Sequence, residues 1–308
     1  MNINIVKSFS TKAFDQFTEA VTRRLNVLGI KQDNDEQLVI IDSDIQDEIK
    51  NKREELVQLS QNMSFTSLVE HAAYTWFNRL CAIRFMELHD FLDHGFRVLS
   101  HPDNPKGFEI LDHVQDIADD FNLDKNQLIE FKLAGNKDEE LFRELLLGQC
   151  HQLQSALPFL FSDQGDVLDL LLPDNLTRTD SPIKLLIRDL PESYWKSLDL
   201  FTLIFEFYYS KYKKTLPKKM ERSGLPIATQ VSEPKWVSQF MVENTLARRW
   251  KEINPESKIN EDLVYYLPPA EQQEQVRLNL EKNSVSSSKS PEDLRVLDPA
   301  CGSGSNLL

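Results

Sequence analysis

The chain has 308 residues, 41% of them hydrophobic and 27% charged, and a formal net charge of −14. That length suits two domains with a sizeable core, and the composition is ordinary for a folded soluble chain. No apolar run reaches the roughly 18 residues of a membrane span, and Met1–Lys7 lacks the apolar stretch of a signal peptide. Three cysteines (Cys81, Cys150, Cys301) without a CxxC pair argue against a disulfide framework and a zinc site, so a metal-free protein of the reducing cytoplasm is expected.

The acidic total speaks against nucleic acid as a partner, since phosphate contact rests on Lys and Arg. The charge is uneven, however. Asp33–Glu55 holds nine acids and three bases, whereas Glu206–Lys251 holds ten bases and four acids. An anionic partner is to be sought on the second stretch.

In chain order, residues 1–30 predict a helix. Phe9, Ala13, Phe17 and Val21 recur at four-residue steps, Leu25 and Leu28 continue the face, and Lys12, Arg23 and Arg24 lie off it. The acidic stretch 31–47, around Leu38–Ile41, reads as a solvated connector with one short strand or helix turn. Residues 64–93 carry the clearest helix, with Ser67 and Glu70 as a capping box and Leu68, Ala72, Trp76, Leu80 and Ile83 on one face. Arg79 and Arg84 within that apolar pattern are expected to pair with carboxylates, Glu70 and Glu87 being at helical spacing, rather than to reach for DNA. His89, His94 and His101 are spaced by five and seven, which fits neither an i,i+4 ligand pair nor HExxH, so no metal site is read there.

Residues 102–190 predict helices at Ile110–Ala118 and Glu139–Leu147, a helix capped by Asp124, and an apolar element Leu168–Leu172 ended by Pro173. Helices joined by turns imply an α-rich domain. A strong amphipathic helix follows over 195–215, with Leu198, Phe201, Ile204, Phe205, Tyr208 and Tyr212 on one face. It runs into Lys211, Lys213, Lys214, Lys218, Lys219 and Arg222. These cations read either as a solvated helix end and linker or as a grip on a phosphate backbone. Gly224 and Pro226 mark a boundary, giving a helical domain 1–224 and a second domain 225–308.

In the second domain, Ser232 is a candidate cap, Pro234 suits a first helical turn, and Trp236, Val237, Phe240 and Met241 form a stripe. Leu267-Pro268-Pro269-Ala270 reads as a loop, and 283–293 as a polar linker. The closing string Leu294–Gly304 is the most informative. Val296 and Leu297 read as a short buried strand that Asp298-Pro299 stops. Gly302 and Gly304 then let the backbone turn tightly against a ligand. An open α/β sheet presents backbone amides to a nucleotide-like cofactor in this way. The string is neither the nicotinamide fingerprint nor a P-loop.

Asp298-Pro299-Ala300-Cys301-Gly302-Ser303-Gly304 closely resembles motif I of the S-adenosylmethionine-dependent N6-adenine DNA methyltransferases. Ala228–Val237 resembles their motif X, in which a Thr-Pro step opens a cofactor-facing helix, although Glu233 stands here in place of that Thr. The words His71–Leu80, Arg84–Glu87 and Met241-Val242-Glu243-Asn244 resemble, more narrowly, the PglX family of adenine methyltransferases in BREX phage-defence systems.

The resemblance implies methyl transfer from S-adenosyl-L-methionine to adenine in double-stranded DNA, with other phage-defence proteins as partners. It implies Asp298 near the cofactor amine and the amides of Ala300 through Gly304 at its methionine portion. Cys301 would be a small wall residue rather than a nucleophile, and Thr229, Gln230 and Pro234 would lie around the cofactor-facing helix start. The fold expected is mainly α: a helical N-terminal domain followed by the start of an α/β Rossmann-like methyltransferase domain, its motif X helix, first strand and Gly loop. The Asn-Pro-Pro-Tyr-type tetrapeptide that would hold the target base does not occur in 1–308, so no catalytic residue is assigned. The expectation is an N-terminal fragment, inactive by itself, that ends just after motif I. Two other readings stand beside it: the modification subunit of a type I restriction system, and a non-enzymatic acidic interaction or scaffold module.

Overall fold

Helix α1 (Ile3–Val27) forms where the four-residue apolar step predicts it, and Phe9, Ala13, Phe17, Val21 and Leu25 are all buried. The Asn2 side chain caps it by accepting from Asn4 N–H. It ends at Leu28 and Gly29, whose φ of 75° is the left-handed conformation that glycine adopts without strain. Two short strands follow, β1 (Ile30–Gln32) and β2 (Leu38–Ile40), paired antiparallel with Ile30 opposite Ile40. The acidic connector thus contributes the strand alternative. The computed structural model describes residues 1–32, 38–40, 47–161, 166–215, 234–259, 263–283 and 290–299.

The chain divides into two compact units, Met1–Thr215 and Leu216–Leu308. In the first, α1 packs against α3 (Phe65–Leu88) and α9 (Asp199–Thr215). The contact is aromatic. Phe77 stacks on Tyr208 at 4.6 Å and meets Phe17 edge-on at 5.5 Å, and Phe14 meets Tyr208 at 5.1 Å. At roughly 1.5–3 kcal/mol for each fully buried ring, Phe9, Phe17 and Phe77 outweigh any surface ion pair on these helices, worth up to about 1 kcal/mol.

The face predicted on α3 (Leu68, Ala72, Trp76, Leu80, Ile83) is buried throughout, and so are Ala73, Phe77 and Cys81 on the adjoining side. A helix apolar on so much of its circumference belongs at the centre of its unit. The predicted capping box is corrected. Ser64, not Ser67, is the cap, its Oγ accepting the Ser67 N–H at 3.1 Å.

Around this core run α2 (Asp47–Asn62), a 3₁₀ turn Glu109–Leu111, α4 (Val114–Ile117), α5 (Lys125–Ala134), α6 (Asp138–Leu153), a 3₁₀ turn Val167–Leu171, α7 (Pro182–Arg188) and α8 (Glu192–Trp195). The helix predicted over Ile110–Ala118 is therefore split, with Asp112 and His113 between its two short turns. The Asp124 cap holds, its Oδ1 accepting from Asn126 and Gln127 N–H.

One buried arginine and two half-buried ones fasten the long segment after α6. Its carbonyls lie outside regular helix or sheet and need donors. Arg79 donates to Leu160 O and pairs with Asp166 at 3.1 Å and Asp169 at 3.7 Å. Trp76 Nε1 donates to Leu168 O, and Arg24 Nε to Leu170 O. Arg143 reaches Leu172 O, Pro173 O and Asp174. Burial, and then the charge of Arg24, push the Arg143 pKa down from its usual value.

Arg84 pairs with Glu87, as its spacing predicts, and both side chains are fully buried. Glu87 also accepts from Leu99 N–H at 2.7 Å and Ser100 Oγ at 3.0 Å. Burial pushes the Glu87 carboxyl up from its ordinary value, while Arg84, Leu99 and Ser100 pull it back.

The second unit holds α10 (Lys235–Val242), a π-helical turn Glu243–Ala247, α11 (Arg248–Ile253), α12 (Glu274–Asn283) and a 3₁₀ turn Pro291–Asp293. The strand predicted at Val296-Leu297 is absent. Both residues are exposed, at 55% and 86%, and neither pairs in a sheet. A strand is stable only with neighbours to fill its ladder, and the one sheet among the described residues is β1–β2. The described chain is mainly helical.

Candidate functional site

Helix α10 starts at Lys235, and Pro234 is its cap rather than part of its first turn. This corrects the sequence expectation for Pro234. Its carbonyl accepts from Val237 N–H at 2.8 Å, and Pro234, having no polar side chain, makes no side-chain cap of its own. Amide groups at such an end attract anions, helped by the helix dipole. Trp236, Phe240 and Met241 of the predicted stripe are exposed. Thr229 and Gln230, which the motif X resemblance places beside this helix start, lie outside the described residues, as do Ser232 and Glu233.

One turn further on is a feature that sequence reasoning missed. Glu243 is only 4% exposed, and its carboxylate accepts from Gln239 Nε2 at 2.9 Å, Val264 N–H at 3.2 Å and Tyr265 N–H. Asn244 donates to Tyr265 O at 2.9 Å and accepts from Leu267 N–H at 2.8 Å. Arg248 donates to Leu267 O at 2.7 Å. The backbone of Val264–Leu267 is thus held along its length by side chains of one helix, without a partner strand. The π-helical turn inserts its extra residue at Glu243–Ala247, where this clamp is built. Lys251 Nζ lies 4.2 Å from the Tyr266 ring centroid, and the Arg248 guanidinium 6.0 Å from it. The sequence marks Glu243 and Asn244 only as part of the PglX-like string Met241–Asn244 and assigns them no structural role. The available signal was Asn at a helical position, where a side chain that competes for backbone bonds is poorly placed unless it has such a partner.

Of the motif I residues, Asp298 and Pro299 are described, Asp298 half-buried and Pro299 exposed. Ala300, Cys301, Gly302, Ser303 and Gly304 lie outside the described residues.

In the first unit, Lys211, Lys213 and Lys214 occupy the last turns of α9, and Lys218, Lys219 and Arg222 lie outside the described residues. Lys211 and Lys214 line an open groove with Phe207 and Ser210 of α9 and Lys7 and Thr11 of α1. Lys211 pairs with Asp15 at 3.2 Å. Lys7 and Thr11 were not among the sequence candidates. They sit one helical turn apart on α1, off its buried stripe, and nothing local connects them with residues 200 positions later. His89, His94 and His101 do not converge. His89 bonds Phe85 O, His94 bonds Gln149, and His101 bonds Asp112. Among the described residues no group of three or more His, Cys, Asp or Glu is placed to hold a metal ion. No described helix is long and apolar enough to cross a membrane.

No protein-family model matches the chain. Two curated proteins do. The adenine-specific methyltransferase BrxX of Escherichia coli O9:H4 (strain HS) is 45% identical over 318 residues, covering 99% of this chain and 26% of that protein. The adenine-specific methyltransferase PglX of Lacticaseibacillus casei (strain Zhang) is 28% identical over 355 residues, covering 100% of this chain and 28% of that protein. Along essentially its whole length the chain is therefore similar to two proteins named as adenine-specific methyltransferases. It spans about a quarter of the length of each of these two relatives. The words that carried the PglX resemblance have structural counterparts. His71–Leu80 supplies core residues of α3, Arg84–Glu87 the buried ion pair, and Met241–Asn244 the clamp on Val264–Leu267.

Proposed function

We propose that this chain is part of an enzyme that transfers a methyl group from S-adenosyl-L-methionine to the N6 nitrogen of adenine in double-stranded DNA, in the cytoplasm, alongside other proteins of a phage-defence system. The observation that carries this is 45% identity, along essentially the whole chain, to a protein named as an adenine-specific methyltransferase. Within that reading, residues 1–224 are a helical domain, and 225–308 begin an α/β Rossmann-like methyltransferase domain.

The cofactor supplies an activated methyl group when bound. The chain's own residues would hold its methionine end. By the motif I resemblance, Asp298 and Pro299 would lie at the cofactor amine, and the amides of Ala300, Cys301, Gly302, Ser303 and Gly304 would hold its methionine portion. By the motif X resemblance, the start of α10 at Pro234, with Thr229 and Gln230, would give a second set of amides for the carboxylate. Lys211, Lys213, Lys214, Lys218, Lys219 and Arg222 belong to the DNA-facing side in this reading.

The test is methylation of duplex DNA by the gene product that contains this chain. N6-methyladenine is expected in the product digest, with strong loss in an Asp298→Ala variant. Methyl groups appearing on cytosine, or on no base with S-adenosylmethionine in excess, would remove the proposal.

A further inference from the structure

We infer that the groove between α1 and the end of α9 is a seat for the sugar-phosphate backbone of duplex DNA, gripped by Lys7, Lys214 and Lys211. The choice of DNA rests on the function proposed above; the anion seat itself rests on geometry.

Two helices nearly 200 residues apart in sequence bring three lysines and two hydroxyls to one open groove. Asp15 answers the charge of Lys211, whereas Lys7 and Lys214 have no carboxylate partner among the described residues. In a chain of net charge −14, an open groove that holds two exposed ammonium groups without carboxylate partners among those residues is a local attractor for an anion. Ser210 is exposed and adds a hydroxyl donor. The N-terminal, electropositive part of α1 supplies Lys7, which reinforces the sign.

The chemistry selects the ligand. The lining is lysine point charge and hydroxyl, with Phe207 as its aromatic member, and Lys7, Lys214 and Ser210 are exposed. No buried donor or acceptor lines the groove to fix a base or sugar edge, as a mononucleotide pocket requires. Flexible ammonium groups on an open surface suit a repeating phosphate backbone and read no sequence.

The test is fluorescence anisotropy of a labelled duplex of mixed sequence, titrated with the full chain at 50 and 200 mM salt. Three phosphate contacts give a log–log salt slope of about −2.7, so affinity should fall about 40-fold over that range. A Lys7→Glu/Lys214→Glu variant should bind at least 10-fold more weakly at 50 mM salt, with a slope smaller by about 2. Lys31→Glu is the control, since Lys31 is exposed and lies beyond the far end of α1, about 30 Å of helix from Lys7. It should stay within about twofold of the unmodified chain. No duplex binding at 50 mM salt, or double-variant binding equal to the control, overturns the inference. So does displacement of the duplex by 1 mM inorganic phosphate at constant ionic strength, which would mark a small-anion site instead. Each of these failures leaves the methylation assay untouched, and loss of methylation through Asp298 leaves the groove untouched.

Discussion

Replacing Glu87 with Ala tests the packing logic of the first unit most sharply. The carboxylate takes hydrogen bonds from Arg84 Nη1, Leu99 N–H and Ser100 Oγ, and both it and Arg84 are fully buried. Removing it strands a guanidinium in the core. Arg84 Nη2 keeps Glu192 at 3.0 Å, but that carboxylate is half exposed and already pairs with Arg97. An uncompensated buried charge costs about 3–5 kcal/mol. The orphaned Leu99 N–H falls within that range rather than adding a separate increment, because such terms are not additive. For a unit of this size each kcal/mol shifts Tm by about 2–4 °C, so the first unit should melt some 6–20 °C lower by differential scanning calorimetry. A double change, Arg84→Met/Glu87→Leu, removes both charges together and should recover more than half of that loss. A single variant melting within about 2 °C of the parent would refute the reasoning. So would a double variant as unstable as the single one, since the cost would then come from packing rather than from the stranded charge.

Three further outcomes follow from the same structure. Burial alone would raise the Asp189 carboxyl, but hydrogen bonds and charge from Lys12 and Arg188 outweigh it and hold it below its ordinary 3.8. Its stabilising contribution is therefore present above that value and lost as pH falls through the lowered folded value. Lys12→Met should cost about 0.2–1 kcal/mol at pH 6, since Lys12 is mostly exposed, and almost nothing near pH 2, read from Tm across a pH series. Burial pushes the Cys150 thiol up to about 12 and the Cys81 thiol well above its usual 9.0. In a Cys301→Ser background neither should react with a thiol reagent at pH 8 until urea unfolds the chain, and rapid reaction of either in the native protein would contradict their burial. Finally, Glu243→Ala/Asn244→Ala should raise amide exchange at Val264, Tyr265 and Leu267 at least 10-fold by mass spectrometry while leaving α3 unchanged. Unaltered exchange at those three amides would show that the clamp does not hold them.

The sequence disclosed helices and faces well, because an apolar step of three to four residues is a local signal that burial in the structure repeats. Phe9 through Leu25 and Leu68 through Ile83 are buried as their spacing requires. It disclosed the Arg84–Glu87 pair for the same reason, since both partners lie within one helical turn. It did not disclose Asp166 and Asp169 as partners of Arg79, since they come from a segment more than 80 residues later. Helical spacing proposed Glu70 instead, because it can name only neighbours on the same helix. Ser64 escapes the capping-box pattern, which selects Ser67 with Glu70, because the residue three positions after Ser64 is Ser67 and not Glu or Gln.

The candidate site was legible in the opposite proportion. The glycine string 298–304 could be read as a motif, but a strand at Val296-Leu297 needed a ladder that no neighbouring residue in sequence supplies. Composition leaves local charge open for a related physical reason. Net charge sums over the whole chain, whereas an anion responds to the few amines within a Debye length of about 10 Å. The fold determines which amines those are, by laying Lys7 of α1 beside Lys214 of α9. Charge at a binding surface is therefore a property of helix packing as much as of composition. A total of −14 cannot exclude a positive groove, just as ten bases in one stretch cannot by themselves create one.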